Sequence, residues 1–184
     1  MMIIGITGTL GAGKGTVVDF LVKNKNFKHF SVGDFIKEKV IEKGLEPNRD
    51  NMRIIGNEIR AKLGPDYITQ KLFEKAKGCG FDSIIESIRN PKEAVFIKNH
   101  NGYLFAVDAD PKKRYDRIIN RGTGKDNVTF EEFKIQEEKE KKSTDPNAQN
   151  LQECMLLSDY KFDNNGDIES LYEKVEKVVD KIKK

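Results

Sequence analysis

Residues 8 to 16 read Gly-Thr-Leu-Gly-Ala-Gly-Lys-Gly-Thr, a spacing suited to holding the phosphates of a nucleotide. Glycine lets the backbone turn tightly enough for successive N–H groups to converge on an anion, and a helix opening at the lysine adds its dipole. Gly8, Gly11, Ala12, Gly13, Gly15 and Thr16 would form the cradle. Lys14 would reach the β- and γ-phosphates, and Thr16 would serve a magnesium shell. A dinucleotide-binding reading fails, because Thr16 stands where a third glycine is needed after Gly11 and Gly13.

The elements around the loop have the order such chemistry requires. Met2 to Thr7 is a short β-branched run, the pattern of a strand buried on both faces, and Val17, Val18, Phe20 and Leu21 then form one apolar helical face. Lys28 to Val32, Asp82 to Ser87, Gly102 to Asp108 and Asp159 to Asp163 read as four further strands with helices between them. The expected fold is α/β, a five-stranded parallel sheet with helices on both faces. Asn90-Pro91 and Asp110-Pro111 pair an N-cap with proline at the first helical position, and Thr129 with Glu132 is a capping box. Ile168, Leu171, Val175, Val178 and Ile182 form one stripe of a C-terminal helix. One domain is expected: a core of residues 1–33, 78–120 and 151–184, an acceptor-binding insert at 34–77 and a lid at 121–150. The lid helix, Thr129 to about Lys142, is nearly all Glu and Lys outside Phe130, Phe133 and Ile135, so it reads as a solvated face with i,i+4 pairs and no chemistry.

Within the insert, Arg53 and Arg60 are seven residues apart and share a helical face, which suits the gripping of one anion. Glu86, at the end of a strand, can order magnesium-bound water, and Arg89 just beyond can contact an acceptor or the transferring phosphoryl group.

Gly13-Lys-Gly-Thr16 resembles the loop of adenylate kinase and related nucleoside monophosphate kinases, in which glycine follows the lysine. Ser31-Val-Gly-Asp34 through Lys37 is similar to the edge of the monophosphate site in that family, with Lys37 in place of an arginine. Asp34 is either a helix cap or part of the acceptor site, or both. The stretch Arg53 to Arg60 with Gly64-Pro-Asp-Tyr67 resembles phage deoxynucleoside monophosphate kinases, and Glu86 to Arg89 resembles a family segment that has Asp at the first position. Asp116-Arg117 to Arg121 looks like the entry to the family's lid, which implies that Arg117 packs near the adenine and Arg121 holds phosphates. Asp163 to Gly166 resembles the adenine-backing loop of dephospho-CoA kinase, so Asn165 and Gly166 either read the base edge or make an ordinary turn.

The resemblance implies transfer of the γ-phosphoryl of ATP, with Mg2+, to a nucleoside or deoxynucleoside monophosphate. The alternatives are hydroxyl phosphorylation of the dephospho-CoA kinase type, with Asp34 at the acceptor hydroxyl, and a nucleotide-driven switch acting on a protein partner. Lys14, Arg89, Arg117, Arg121 and Asp34 are the expected catalytic set, with Lys37, Arg53 and Arg60 on the acceptor. Thirty-three Lys and Arg against 30 Asp and Glu give +3, which argues against non-specific binding to nucleic acid or membranes. Cys79 and Cys154 have no ligand spacing and His29 and His100 stand alone, so neither zinc nor a disulfide framework is indicated. The N-terminus has no long apolar run, and a cytoplasmic monomer or homodimer is expected.

Overall fold

The computed structural model describes residues 1–120 and 128–183. Five strands, β1 (Ile3–Gly8), β2 (Lys28–Ser31), β3 (Ser83–Glu86), β4 (Tyr103–Asp108) and β5 (Tyr160–Asp163), form one sheet in the order β2-β3-β1-β4-β5. All four pairings are parallel. Each strand begins or ends within a residue of its sequence-based bounds.

The sheet is covered on both sides, and alternation along β1 decides which residue faces which layer. Ile3 joins one apolar cluster while Ile4 and Ile6 join the other. The first layer takes α2 (Val32–Glu42), α3 (Arg49–Leu63), α4 (Tyr67–Cys79), α5 (Pro91–Asn99) and α8 (Leu151–Leu156). The second takes α1 (Lys14–Lys25) and α9 (Ile168–Ile182). Each fully buried isoleucine in these clusters contributes about 1.5–3 kcal/mol. Within the segment 34–77, Ile68, Leu72, Phe73 and Ala76 pack α4 into the sheet layer, and α2 and α3, joined to the same layer through Ile36, Val40 and Ile55, also frame a cavity.

Cap chemistry fixes the helix starts. Asn90 with Glu93 and Thr129 with Glu132 both close capping boxes, opening α5 and α7 (Phe130–Lys141). Asp110 accepts from Lys112 N at the start of α6 (Pro111–Asn120). On α9 the buried residues are Leu171, Val175 and Val179, while Ile168 is exposed.

Helix α7 corrects in part the expectation that its charges are mostly a solvated face with i,i+4 pairs and no inward role. Its exposed pairs run i,i+3, Glu131 with Lys134 and Glu138 with Lys141. Phe133, Glu137 and Glu140 share the inner face: Phe133 is fully buried, Glu137 pairs with Arg114 at 2.5 Å, and the Glu140 side chain is 5% exposed. Four residues past Phe133, then three, is one helical stripe, so both carboxylates turn inward.

Candidate active site

The chain leaves β1 at Gly8 and enters α1 at Lys14 through a loop whose shape its surroundings impose. Gly8 has φ 139°, and a Cβ there would lie 2.1 Å from the Val107 carbonyl oxygen. Gly13 has φ 100°, and a Cβ would meet Asn164 Nδ2 at 2.2 Å. A side chain at either position would collide with its neighbours as well as strain the backbone. Gly13 is the N-cap of α1 and offers no side-chain cap, so the first turn keeps N–H groups for a ligand. Lys14 Nζ folds back onto the loop, donating to the carbonyls of Gly8 and Thr9 at 2.9 Å each.

A cavity of about 800 Å³ opens over this loop. Its lining includes Gly11, Gly13, Lys14, Gly15, Thr16, Glu86, Arg89 and Arg117, which brings most of the expected nucleotide residues to one place. Gly15 faces open space, with nothing within 4 Å of a Cβ built there. Arg117 donates through Nη2 to the Asn164 carbonyl at 2.8 Å, and its buried Nη1 meets no partner among the described residues. Glu86 accepts from the Ser31 hydroxyl at 3.4 Å. Arg121 lies outside the described residues.

The loop after β5 is shifted by one residue from the expectation. Asn164, not Asn165, backs the nucleotide loop: it is buried, its Nδ2 donates to the Ala12 carbonyl at 2.7 Å, and it lines the cavity. Asn165 turns away, accepting from Asp110 N at 2.8 Å and, through its carbonyl, from Lys113. Neither Asn165 nor Gly166 lines the cavity.

A second, smaller cavity of about 240 Å³ adjoins the first. Leu10, Ser87 and Arg89 line both, and Ser87 holds a left-handed φ of 71°, the kind of strain that collects at functional sites. Val32, Ile36, Pro47 and Met52 supply apolar wall, and Arg49, Arg53, Arg60 and Arg89 supply charge. Arg53 is half-buried and touches Asp50 at 3.4 Å. Arg60 departs from the picture of an arginine gripping from a shared surface: its side chain is 0% exposed, and Nε and Nη2 bind Glu93 Oε1 at 3.1 and 3.0 Å. Glu93 Oε2 accepts from the backbone N–H groups of Arg89 and Asn90. Asp34 and Lys37 are exposed on α2, where Ser31 rather than Asp34 is the N-cap, and neither lines either cavity.

Glu140 reaches in from α7. One oxygen accepts from Arg49 Nε at 2.8 Å and the other from Arg89 Nη1. Burial works against its charge, but Arg89 and Arg49 outweigh that and hold the carboxyl below its ordinary value. Sequence reasoning missed Arg49, Glu140, Asn164 and Arg114. The buried Arg114 ties the loop after β1 to α7, donating to the carbonyls of Leu10 and Ala109 and to Glu137. For Glu137 and Glu140 the signal was their spacing from Phe133; Arg49 carried none.

Fold and loop together define a P-loop nucleotide-binding domain of the kinase-like kind. A family model described as an AAA domain matches residues 4–145. The UPF0200 protein of Pyrococcus horikoshii is 29% identical across 98% of this chain and 97% of its own length. That of Methanoculleus marisnigri is 31% identical across 76% and 78%. The chain belongs to the AAA domain family and to the UPF0200 proteins. Among solved structures, shikimate kinase from Bacteroides thetaiotaomicron superposes with a TM-score of 0.63 at 15% identity, covering 97% of this chain and 98% of that one. Dephospho-CoA kinase from Campylobacter jejuni gives 0.52 at 15%, covering 98% and 96%. These likenesses establish the fold. No helix among the described residues is long and apolar enough to cross a membrane.

Proposed function

We propose that the protein transfers the γ-phosphoryl group of Mg-ATP to a nucleoside or deoxynucleoside monophosphate in the cytoplasm. The observation that carries this reading is the pairing of the P-loop cavity with a second cavity whose polar lining is dominated by arginine. Apolar side chains at Val32, Ile36 and Met52 suit the nucleoside part of an acceptor, and the guanidinium groups suit its phosphate. Asp34 lines neither cavity, which favours an acceptor already ionised at neutral pH over a hydroxyl that needs a base.

In this reading an oxygen of the acceptor phosphate attacks the γ-phosphorus as the bond to the β,γ-bridging oxygen breaks, and ADP leaves. The chain contributes position and charge. The loop N–H groups and Lys14 hold the donor phosphates, Arg117 faces the donor, and Arg89, on the wall common to both cavities, meets the transferring group. Thr16 and Glu86 line the donor cavity and would hold Mg2+ with waters and phosphate oxygens, in keeping with an ion that takes few protein ligands. The ion, when bound, neutralises charge on the phosphates.

ADP release from Mg-ATP, measured against a panel of ribo- and deoxyribonucleoside monophosphates, dephospho-CoA and no acceptor, tests the proposal with Lys14→Ala as the blank. Stimulation by one or a few monophosphates, lost in the blank, supports it. Stimulation by dephospho-CoA alone refutes it in favour of a hydroxyl acceptor, and slow release indifferent to every acceptor refutes it in favour of a partner-dependent switch.

A further inference from the structure

Two arginines that line the smaller cavity each keep one nitrogen unspent. Arg49 gives Nε to Glu140 at 2.8 Å and Nη1 to Gln136 at 2.9 Å, both on α7, and its Nη2 is buried with no hydrogen-bond partner among the described residues. Arg60, wholly buried, gives Nε and Nη2 to Glu93, and its Nη1 is likewise buried and unpartnered among them. Buried N–H donors are nearly always satisfied, because leaving one without a partner forfeits its hydration for nothing. Two such donors, of like charge and in residues that line one cavity, call for an acceptor with negative charge and more than one oxygen.

The charges around the cavity agree. Among the described residues Arg49, Arg53, Arg60 and Arg89 pair with three carboxylates, Glu140, the deeper Glu93 and the exposed Asp50, so one positive charge is left over. The fixed nitrogens matter as much as the unspent ones. Glu140 and Gln136 take two corners of the Arg49 guanidinium and so determine where its third corner lies. Gln136 and Glu140 share the inner face of α7 with Phe133, which anchors the helix.

We propose that Arg49 Nη2 and Arg60 Nη1 form an oxyanion subsite in the smaller cavity, with Glu140 and Gln136 of the lid helix as positioning residues for Arg49. Its ligand is the anionic group of the acceptor, a phosphate monoester or a carboxylate. The subsite deepens the acceptor site of the proposed function and rests on that reading only for the identity of the acceptor. It makes α7 part of the acceptor site, since an arginine of α3 is aimed by a helix far along the chain.

Calorimetric titration of inorganic phosphate, and separately of acetate, into protein saturated with Mg-ADP tests the subsite with the nucleotide loop occupied. Phosphate binding that weakens about tenfold or more in Arg49→Lys, which keeps the charge but gathers it on one nitrogen instead of the planar fork that reaches Glu140, Gln136 and a ligand at separate corners, supports it. Glu140→Gln should weaken it several-fold, with Lys71→Ala on the exposed face of α4 unchanged and melting curves confirming that each variant folds. Tighter binding of acetate than phosphate, with the same dependence on Arg49, supports the subsite and assigns a carboxylate. No binding of either anion, or affinities within about twofold of wild type in a folded Arg49→Lys, overturns it. Stronger anion binding in Glu140→Gln overturns the positioning role and makes Glu140 a competing counter-ion. Arg49-dependent phosphate binding in a protein that phosphorylates no monophosphate leaves the subsite standing and removes the kinase reading.

Discussion

Removing the Glu93 side chain should cost far more stability than removing its partner. Glu93 accepts four N–H groups, two from Arg60 and the backbone N–H groups of Arg89 and Asn90, and both members of the ion pair are 0% exposed. Glu93→Ala leaves a buried guanidinium without its counter-ion, a loss of about 3–5 kcal/mol. It also strips two backbone donors at the start of α5, at about 1–3 kcal/mol each if unsatisfied. The losses overlap, so about 5 kcal/mol is expected. Arg60→Met instead leaves a carboxylate still bound by two backbone N–H groups at a helix N-terminus, and should cost about half as much. Urea unfolding followed by circular dichroism reads both. With a slope of about 2 kcal/mol/M, the midpoint should fall by about 2.5 M in Glu93→Ala and by about half that in Arg60→Met. A Glu93→Ala cost below about 1 kcal/mol, or a larger cost in Arg60→Met, would refute the assignment of Glu93 as the hub.

Gly13→Ala should abolish Mg-ADP binding in calorimetry, because its Cβ would lie 2.2 Å from Asn164 Nδ2 in a loop at φ 100°. Lys14→Ala should lower the acceptor-dependent rate of ADP release about a hundredfold or more, as expected for a lost donor to developing charge. The pH dependence of stability should carry the signature of Glu140. Its carboxyl is held below the ordinary glutamate value of 4.5, so the stability it adds is present above that value and is lost as pH falls through the lower, folded value. The difference in unfolding free energy between wild type and Glu140→Gln should therefore shrink only at acid pH below 4.5, and a difference constant with pH there would contradict the pairing. Under native conditions a maleimide should label Cys79, whose thiol the Ser83 hydroxyl and Phe81 backbone hold below its usual value, and spare the buried Cys154, whose thiol burial pushes up. Equal labelling rates would contradict that.

The middle of the sheet was legible because β1 and β3 are short isoleucine-rich runs bounded by turns and largely buried, a pattern with few alternatives, whereas the exposed edge strands β2 (Lys-His-Phe-Ser) and β5 (Tyr-Lys-Phe-Asp) were legible only from their places in the alternation with helices. The nucleotide loop was legible because a phosphate cradle restricts residue type at nearly every position. The acceptor side was less so. Arg53 and Arg60 share a helical face in the sequence, yet a buried Glu93 decides what Arg60 does, and that carboxylate is thirty-three residues away and reads as an ordinary capping-box member. Arg49 is placed by Glu140, ninety-one residues further on. Such pairs are set by tertiary packing, and no local pattern encodes them. The shift from Asn165 to Asn164 has a smaller cause: two adjacent asparagines in a loop have the same propensities, and only the close approach of Gly13 selects the one whose amide fits.

Leu10, Ser87 and Arg89 line both cavities, so in the proposed reaction the donor and the acceptor would lean on one wall. Any adjustment of that wall by the first ligand is met by the second, and the free energy of their coupling has to be the same from either direction. Whatever factor a non-hydrolysable ATP analogue applies to the affinity for the acceptor, the acceptor applies to the affinity for the analogue. Two titrations run in opposite order must return a single number, and its size measures how far three side chains make two sites into one.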